Sequence, residues 1–453
     1  MDQERRRVVL FPCPFQGHIN PMLQLATILH SHSKGALSII IVHPEFNSPN
    51  SSNYPNFTFL PISDGLSESQ QAHSSIHDAM PMLPVLNQIC VSPFKDCLVN
   101  KILSQQHEPP VACIIADALM HFTQHVADSL NIPRIVLRTS SAITFAVFKV
   151  LRGKDYYPIK GTSTGAADLP RVKTNDAEGL PQLAIDMVEQ TKASSGLIWN
   201  TFELLDQSAL ETVCQEFSIP NFPIGPFHKL TPASSSSLLT QDFSCISWLD
   251  KQAPSSVIYI SFGSLAALDQ AQLVEIALGL ADSEQSFLWV IRPGLVRSSN
   301  DDKAYEDPTN FLPQYFNEMI QSGRGCIVKW APQHEVLAHP AVGGFWTHSG
   351  WNSTLESICE GVPMLCWPFF GDQMMNARCV SQVWRVGLQL ENELERSEIE
   401  RFIKRLMVQE NNKEREEMVV RVNDLKEKAE LCLTIGGSSY QSLESLIDYI
   451  FSF

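Results

Sequence analysis

The sequence predicts an α/β protein made of two doubly wound parallel-sheet domains. Three observations carry that prediction. At 453 residues the chain is too long for one ordinary core, so two domains are expected. Short apolar runs alternate with helical patterns through both halves, which is the pattern of βαβ units and hence of parallel sheets. The alternation breaks once, at a Ser-rich stretch over residues 231–240, and then restarts.

In the first half, residues 8–12 form the first expected strand. Asn20 is expected to cap the helix that follows, with Pro21 at its first position and Met22, Leu25, Ala26 and Leu29 on one face. Further strands are expected at 37–42, 57–60, 112–116, 135–137 and 196–200. The second half repeats the alternation with strands at 257–262, 287–291, 326–329, 344–346 and 364–367. Arg5, Arg6 and Arg7 read as a solvated basic tail ahead of the first strand. The expected division is 1–230, a linker at 231–250, 251–435, and a last helical segment at 436–453. In such sheets, ligands bind in the crevice at the carboxyl ends of the strands.

Composition narrows the function. The chain is 44% hydrophobic and 18% charged, with a formal net charge of −16, which argues against a nucleic-acid partner or an anionic membrane surface. An anionic ligand must then be held by local dipoles rather than by the global field. The 11 cysteines include no C-x-x-C pair and sit mostly in apolar runs, as Cys113 and Cys366 do. They suit a reducing compartment. VVLFPCPF is too short for a signal-peptide core, and the nearest approach to a membrane span, 132–151, is broken by Arg134, Arg138 and Lys149. A cytoplasmic protein without stable membrane insertion is expected.

The most informative stretch is 330–373, WAPQHEVLAHPAVGGFWTHSGWNSTLESICEGVPMLCWPFFGDQ. A strand through Trp346 runs into Thr347, His348, Ser349 and Gly350. A helix should start near Trp351 and run through Glu360, with Gly361 ending it and Pro363 just beyond. A strand, a small-residue turn and a helix N-terminus make an anion site, because free N–H groups and the positive dipole end converge there. His348, Asn352 and Ser353 add side-chain donors. Glu356, one turn on, could hold a diol, and Asp372 and Gln373 suit sugar hydroxyls.

This stretch resembles the signature box of plant small-molecule UDP-glycosyltransferases, from its first Trp to its closing Asp-Gln. FPCPFQGHINPMLQLA, IADAL, LRTSSA, KASSGLIWNTF, FPIGPFHKL and SFGSLAAL extend the resemblance over nearly the full chain. It implies the GT-B arrangement, two Rossmann-like domains facing across a cleft, with the acceptor on the N-terminal side and the UDP-sugar on the C-terminal side. It also implies that the last helix packs back on the N-terminal domain. UDP-glucose would be a co-substrate, with no metal and no other cofactor, and a monomer is expected.

Within that frame His18, in the loop after the first strand, can serve as general base, with Asp117 at the end of CIIAD fixing its tautomer. The family's catalytic pair falls on these two positions. Trp330 is similar to the platform on which uracil stacks, with Ala331 and Gln333 beside it. Ser264 in the SFGS turn reads as a second phosphate donor, Gly350 and Trp351 belong to the anion turn, and Thr139 is expected to touch the sugar. Gln373 and Trp351 resemble the glucose-preferring members. The closest branch is that of diterpenoid, hormone and phenolic glucosyltransferases. Between Tyr157 and Gly179 the chain is shorter than its relatives and lacks a PPL-type turn beside the acceptor pocket.

Other chemistries fit less well. His121/His125 and His73/His77 have zinc-like spacing, yet neither pair has the Glu of H-E-x-x-H or a third ligand. There is no G-x-S-x-G, and PFQGHIN stands where a dinucleotide dehydrogenase would carry G-x-G-x-x-G. The remaining alternatives are a catalytically silent UDP-sugar-binding protein and a nucleotide-dependent oxidoreductase.

Overall fold

Runs such as Val111–Asp117 and Val257–Ser261 are apolar nearly throughout, so both their faces need cover, and a parallel sheet between helical layers supplies it. The computed structural model, which describes residues 4–66, 76–150, 179–231, 237–298, 304–391, 394–408 and 410–453, contains two such sheets. The first is seven-stranded in the order β3-β2-β1-β4-β5-β6-β7. Its strands are β1 (Arg6–Phe11), β2 (Leu37–Pro44), β3 (Thr58–Ile62), β4 (Val111–Asp117), β5 (Arg134–Arg138), β6 (Gly196–Trp199) and β7 (Asn221–Pro223). The second is six-stranded in the order β10-β9-β8-β11-β12-β13. It comprises β8 (Val257–Ser261), β9 (Ser286–Val290), β10 (Gly325–Val328), β11 (Val342–Thr347), β12 (Met364–Cys366) and β13 (Gly387–Gln389). Every neighbouring pair is parallel.

Strand order reverses between β1 and β4 and again between β8 and β11. These are the switch points at which a doubly wound sheet opens a crevice. All the strands expected from sequence are present, with ends shifted by a residue or two. The two that were not foreseen, β7 and β13, are three-residue edge strands, too short to show a period.

Several expectations are corrected. The first helix spans Gln16–His32, so Pro21 lies inside it and Asn20 does not cap it. Asn20 instead pairs with Gln16 one turn earlier, which carries the helix through this point. His18 is therefore in the first helical turn rather than in a loop, its N–H donating to Phe15 O at 2.8 Å. Arg7 is no solvated tail residue. It is buried in β1, and its guanidinium donates to Pro109 O at 2.6 Å and Ile102 O at 3.0 Å. Helix Thr123–Leu130 starts after His121, so His121 and His125 share no helix face. His73, and with it the His73/His77 pairing, and the shortened segment before Gly179 fall on residues outside those described.

Helix Ser244–Leu249 follows the Ser-rich stretch and buries Cys245 and Leu249 with Tyr259 and Leu288 of the second sheet. The last helix, Ser438–Phe451, returns to the first sheet. Leu443, Leu446 and Ile450 join the core of Val8, Leu10 and Ile198, and Tyr449 donates to Ser195 O at 2.7 Å. None of the eleven cysteines is in a disulfide. Among the described residues no helix is long and apolar enough to cross a membrane.

Candidate functional site

The adjacency of β1, β4 and β5 brings three side chains together at the carboxyl end of the first sheet. His18 follows β1, Asp117 ends β4 and Thr139 follows β5. His18 Nδ1 lies 2.8 Å from Asp117 Oδ2 and 3.0 Å from Thr139 Oγ1. The Asp117 side chain is 1% exposed, and its other oxygen accepts the Leu119 N–H at 2.9 Å. A buried carboxylate at Nδ1 fixes the proton there and leaves Nε2 with the basic lone pair. Burial alone would lower the His18 pKa. The Asp117 charge and hydrogen bond outweigh burial, Asp372 adds to them, Arg138 opposes, and the net shift is upward. Thr139, expected to touch the sugar, lies against the His18 ring.

Arg138 was not anticipated as part of this group. It is buried under Phe145, with its guanidinium 4.5 Å from the ring centroid. Burial lowers its pKa to about 10 against the pull of Asp117 and Asp372. The signal in the sequence was a charge inside an otherwise apolar run, which reads equally well as a break in a membrane span.

At the carboxyl end of the second sheet, β11 runs into the turn with Ser349 at φ +64, a left-handed conformation rare outside glycine. Helix Trp351–Glu360 then starts from Gly350, which offers no side-chain cap, and ends at Gly361 with φ +74. The N–H groups of its first turn thus remain available to an anion. The His348 ring fills the space between Gly263 and Gly350. A Cβ on either would come within 2.6 or 2.5 Å of Nε2, so neither position admits a side chain. Burial pushes the His348 imidazole down to about 4, so it is neutral at physiological pH. Ser264 follows Gly263 directly, in the turn after β8.

Glu356 sits one turn into the helix. Its Oε2 accepts Gln333 Nε2 at 2.6 Å, its Oε1 meets His334 Nε2 at 2.9 Å, and Gln333 also donates to Ser353 Oγ at 3.0 Å. Trp330 is half-buried on the same core and Ala331 is buried beside it. Trp351 is buried at the first position of the helix. Its indole donates to Asn200 O at 2.7 Å. Asp372 accepts from Asn376 Nδ2 at 3.1 Å, and burial raises its pKa. Gln373 is buried, and its Oε1 accepts the N–H groups of Phe369 and Phe370 at 2.9 and 3.2 Å. Its amide nitrogen is the end left to meet a hydroxyl.

The two ends face each other. Asn352 Nδ2 donates across the crevice to Gly17 O at 2.8 Å, and the charges of His18 and Asp372 are close enough to shift one another. The arrangement can hold an anion at a helix N-terminus and a diol at Glu356, and can take a proton at His18. Among the described residues no group of three or more His, Cys, Asp or Glu is placed to hold a metal ion.

Comparison with known proteins agrees with this geometry. The family model described as "UDP-glucoronosyl and UDP-glucosyl transferase" matches residues 228–427. UDP-glycosyltransferase 76B1 of Arabidopsis thaliana is 48% identical over 459 residues, covering 98% of each chain. The chain belongs to the plant UDP-glycosyltransferases. UDP-glycosyltransferase 76G1 of Stevia rebaudiana is 46% identical, covering 99% of this chain and 98% of its own. The solved structure of Phytolacca americana UGT2 complexed with UDP-2fluoro-glucose and pterostilbene superimposes with a TM-score of 0.80 at 28% identity, covering 99% of this chain and all of that one. The fold of this UDP-glycosyltransferase is GT-B, and the enzyme transfers a glycosyl group from a UDP-sugar.

Proposed function

We propose that this glycosyltransferase is an inverting, UDP-glucose-dependent enzyme that forms β-glucosides of small lipophilic acceptors bearing a phenolic, terpenoid or hormone-like hydroxyl or carboxyl. The observation that carries the reading is the His18–Asp117 pair at 2.8 Å, facing Asp372 across the crevice. His18 Nε2 takes the acceptor proton, the freed oxygen attacks the anomeric carbon, and UDP departs from the opposite face. One displacement of this kind turns an α-linked donor into a β-glycoside. Asp117 orients the imidazole and stabilises the imidazolium that forms. Thr139 supports the ring and touches the sugar from the acceptor side.

The leaving diphosphate is stabilised by the N-terminus of helix Trp351–Glu360, with Asn352, Ser353, the neutral His348 and Ser264 around it. No metal ion takes part. Trp330, with Ala331 and Gln333, receives the uracil, Glu356 the ribose, and Asp372 and Gln373 the glucose hydroxyls. Residues 1–230 carry the acceptor side and 251–435 the donor side. Both sets come from one chain, which supports a monomer. Eleven unpaired thiols support a cytoplasmic setting. The pterostilbene in the Phytolacca americana structure supports a small aromatic acceptor.

The test is UDP release from UDP-glucose against a panel of phenols, terpenoids and hormones, for wild type and His18→Ala. Turnover on some alcohols should fall about 10²–10⁴-fold in the variant while UDP binding persists. Near wild-type turnover on an alcohol would show that His18 is not the base. No release with any acceptor, despite UDP binding, would point to a silent binder.

A further inference from the structure

Glu356 is half-way into a packed helix, and a buried carboxylate needs partners that aim it and keep it ionised. We infer that His334 is the positioning residue for Glu356, holding the carboxylate for the two ribose hydroxyls of the donor. This rests on the reading that puts Glu356 at the ribose.

The geometry is specific. Each carboxylate oxygen has one protein partner: Oε1 meets His334 Nε2 at 2.9 Å, and Oε2 accepts Gln333 Nε2 at 2.6 Å. A carboxylate offers about two acceptor sites on each oxygen, so one site per oxygen stays open, as a vicinal diol requires. Gln333 reaches only one carboxylate oxygen, Oε2, and its amide serves other partners as well. The same Nε2 also donates to Ser353 Oγ at 3.0 Å, while its Oε1 accepts Tyr259 OH at 3.2 Å. The His334 imidazole is a dedicated second anchor. Burial by itself would raise the Glu356 pKa. The charge and hydrogen bond of His334, with the hydrogen bond of Gln333, reverse that, and the net shift is downward, so the acceptor form persists.

His334 is in turn held in place. The His228 ring lies 5.3 Å away at an angle of 41°. Burial holds His228 down to about 3, so it packs against His334 without adding a second positive charge. Glu335 and Glu360 also favour the charged form of His334, and Lys229 beside them is paired to Glu360. The His334 side chain is 34% exposed, so substitution there leaves no buried void. His334 sits in a short helix, Gln333–Leu337, whose Val336 and Leu337 are buried in the core.

The experiment measures KM and kcat with UDP-glucose, and competitive inhibition by UDP and by 2′-deoxy-UDP, for wild type, His334→Leu and His334→Gln. Wild type should prefer UDP over 2′-deoxy-UDP by about tenfold or more, as for a hydrogen bond to a charged group. His334→Leu should raise KM about tenfold with kcat within about twofold, because it removes binding shared by ground and transition states, and should cut the preference for UDP to about threefold or less. His334→Gln keeps a donor in reach of Oε1 and should restore most of both. A wild-type KM and preference in His334→Leu overturns the inference while leaving Glu356 at the ribose. No preference in wild type removes Glu356 from the ribose, and the inference with it.

Discussion

Replacing Asp117 by Asn tests the catalytic pair more sharply than removing His18, because it keeps the ring and changes only what stands behind it. Asp117 makes a 2.8 Å contact to Nδ1 and is essentially solvent-free, so no water replaces the lost charge. The variant loses the support for the imidazolium that forms as the acceptor gives up its proton. The expected loss in kcat on an alcohol is about 10²–10⁴-fold, or about 3–5 kcal/mol of barrier. The pH dependence gives a second, independent signature. A base must be unprotonated, so kcat/KM rises with pH through the His18 pKa. In wild type the Asp117 charge holds that pKa above the ordinary 6.5, and the acid limb lies there. In Asp117→Asn the burial of the ring and the charge of Arg138 remain without their main opponent, and the limb should move below 6.5. Because the folded pKa of His18 is raised, the pair's stabilisation is full below the unfolded pKa and is lost as pH rises through the folded one. The difference in Tm between wild type and Asp117→Asn should therefore shrink toward alkaline pH. The assay is UDP release with a fixed alcohol from about pH 5 to about pH 9, a range spanning the histidine titration. Wild-type turnover with an unmoved acid limb would refute the role assigned to Asp117.

Three further outcomes are expected. Activity should survive exhaustive EDTA treatment, because the helix N-terminus at Gly350 supplies the electrostatic work at the diphosphate; a loss restored only by added divalent metal would overturn this. Asp372→Ala should sharply lower kcat/KM for UDP-glucose, and Gln373→His should raise the UDP-galactose to UDP-glucose ratio by about 1 kcal/mol or less. Because Gln373 Oε1 also holds the N–H groups of Phe369 and Phe370, both donors should weaken and the ratio is the informative quantity. An unchanged ratio beside a fully active Asp372→Ala would place sugar recognition elsewhere. Gly263→Ala should raise the KM for UDP-glucose, since a Cβ at φ +70 would stand 2.6 Å from His348 Nε2 and displace the ring; an unaltered KM would show that the ring's position does not matter.

What could be read from the sequence was what local physics decides. The apolar runs marked the inner strands, because a strand buried on both faces has no choice of residue type. The strand–turn–helix at Thr347 to Trp351 was legible for the same reason: small residues, a helix start and a Gly stop all lie within a few positions. What escaped depends on partners far along the chain. Arg7 looks solvated until Pro109 and Ile102 are seen to accept its protons. That the Trp351 indole N–H donates to Asn200, in the other half, has no local signal in the sequence. The contact of Thr139 Oγ1 with His18 Nδ1 joins residues 121 positions apart and leaves no local trace in the sequence. Pro21 was misread because a polar residue before a proline is the usual helix start, whereas here the Gln16–Asn20 pair carries the helix across it.

That misreading conceals a structural economy at the crevice. In a helix, the N–H of residue 21 would donate to the carbonyl of residue 17, and proline has no N–H to give. Gly17 O is thereby left open, and Asn352 Nδ2 fills it from the opposite half at 2.8 Å. Asn376 works similarly. Its Nδ2 donates to Ser349 O at 3.0 Å and to Asp372, while its Oδ1 lies 3.5 Å from the hydroxyls of Ser141 and Thr144 in the first half. These particular bonds between the halves thus end on or beside residues around the proposed diphosphate and glucose positions. His18 is the next residue after Gly17, so the proposed base is tethered through one carbonyl to the first turn of the donor-binding helix.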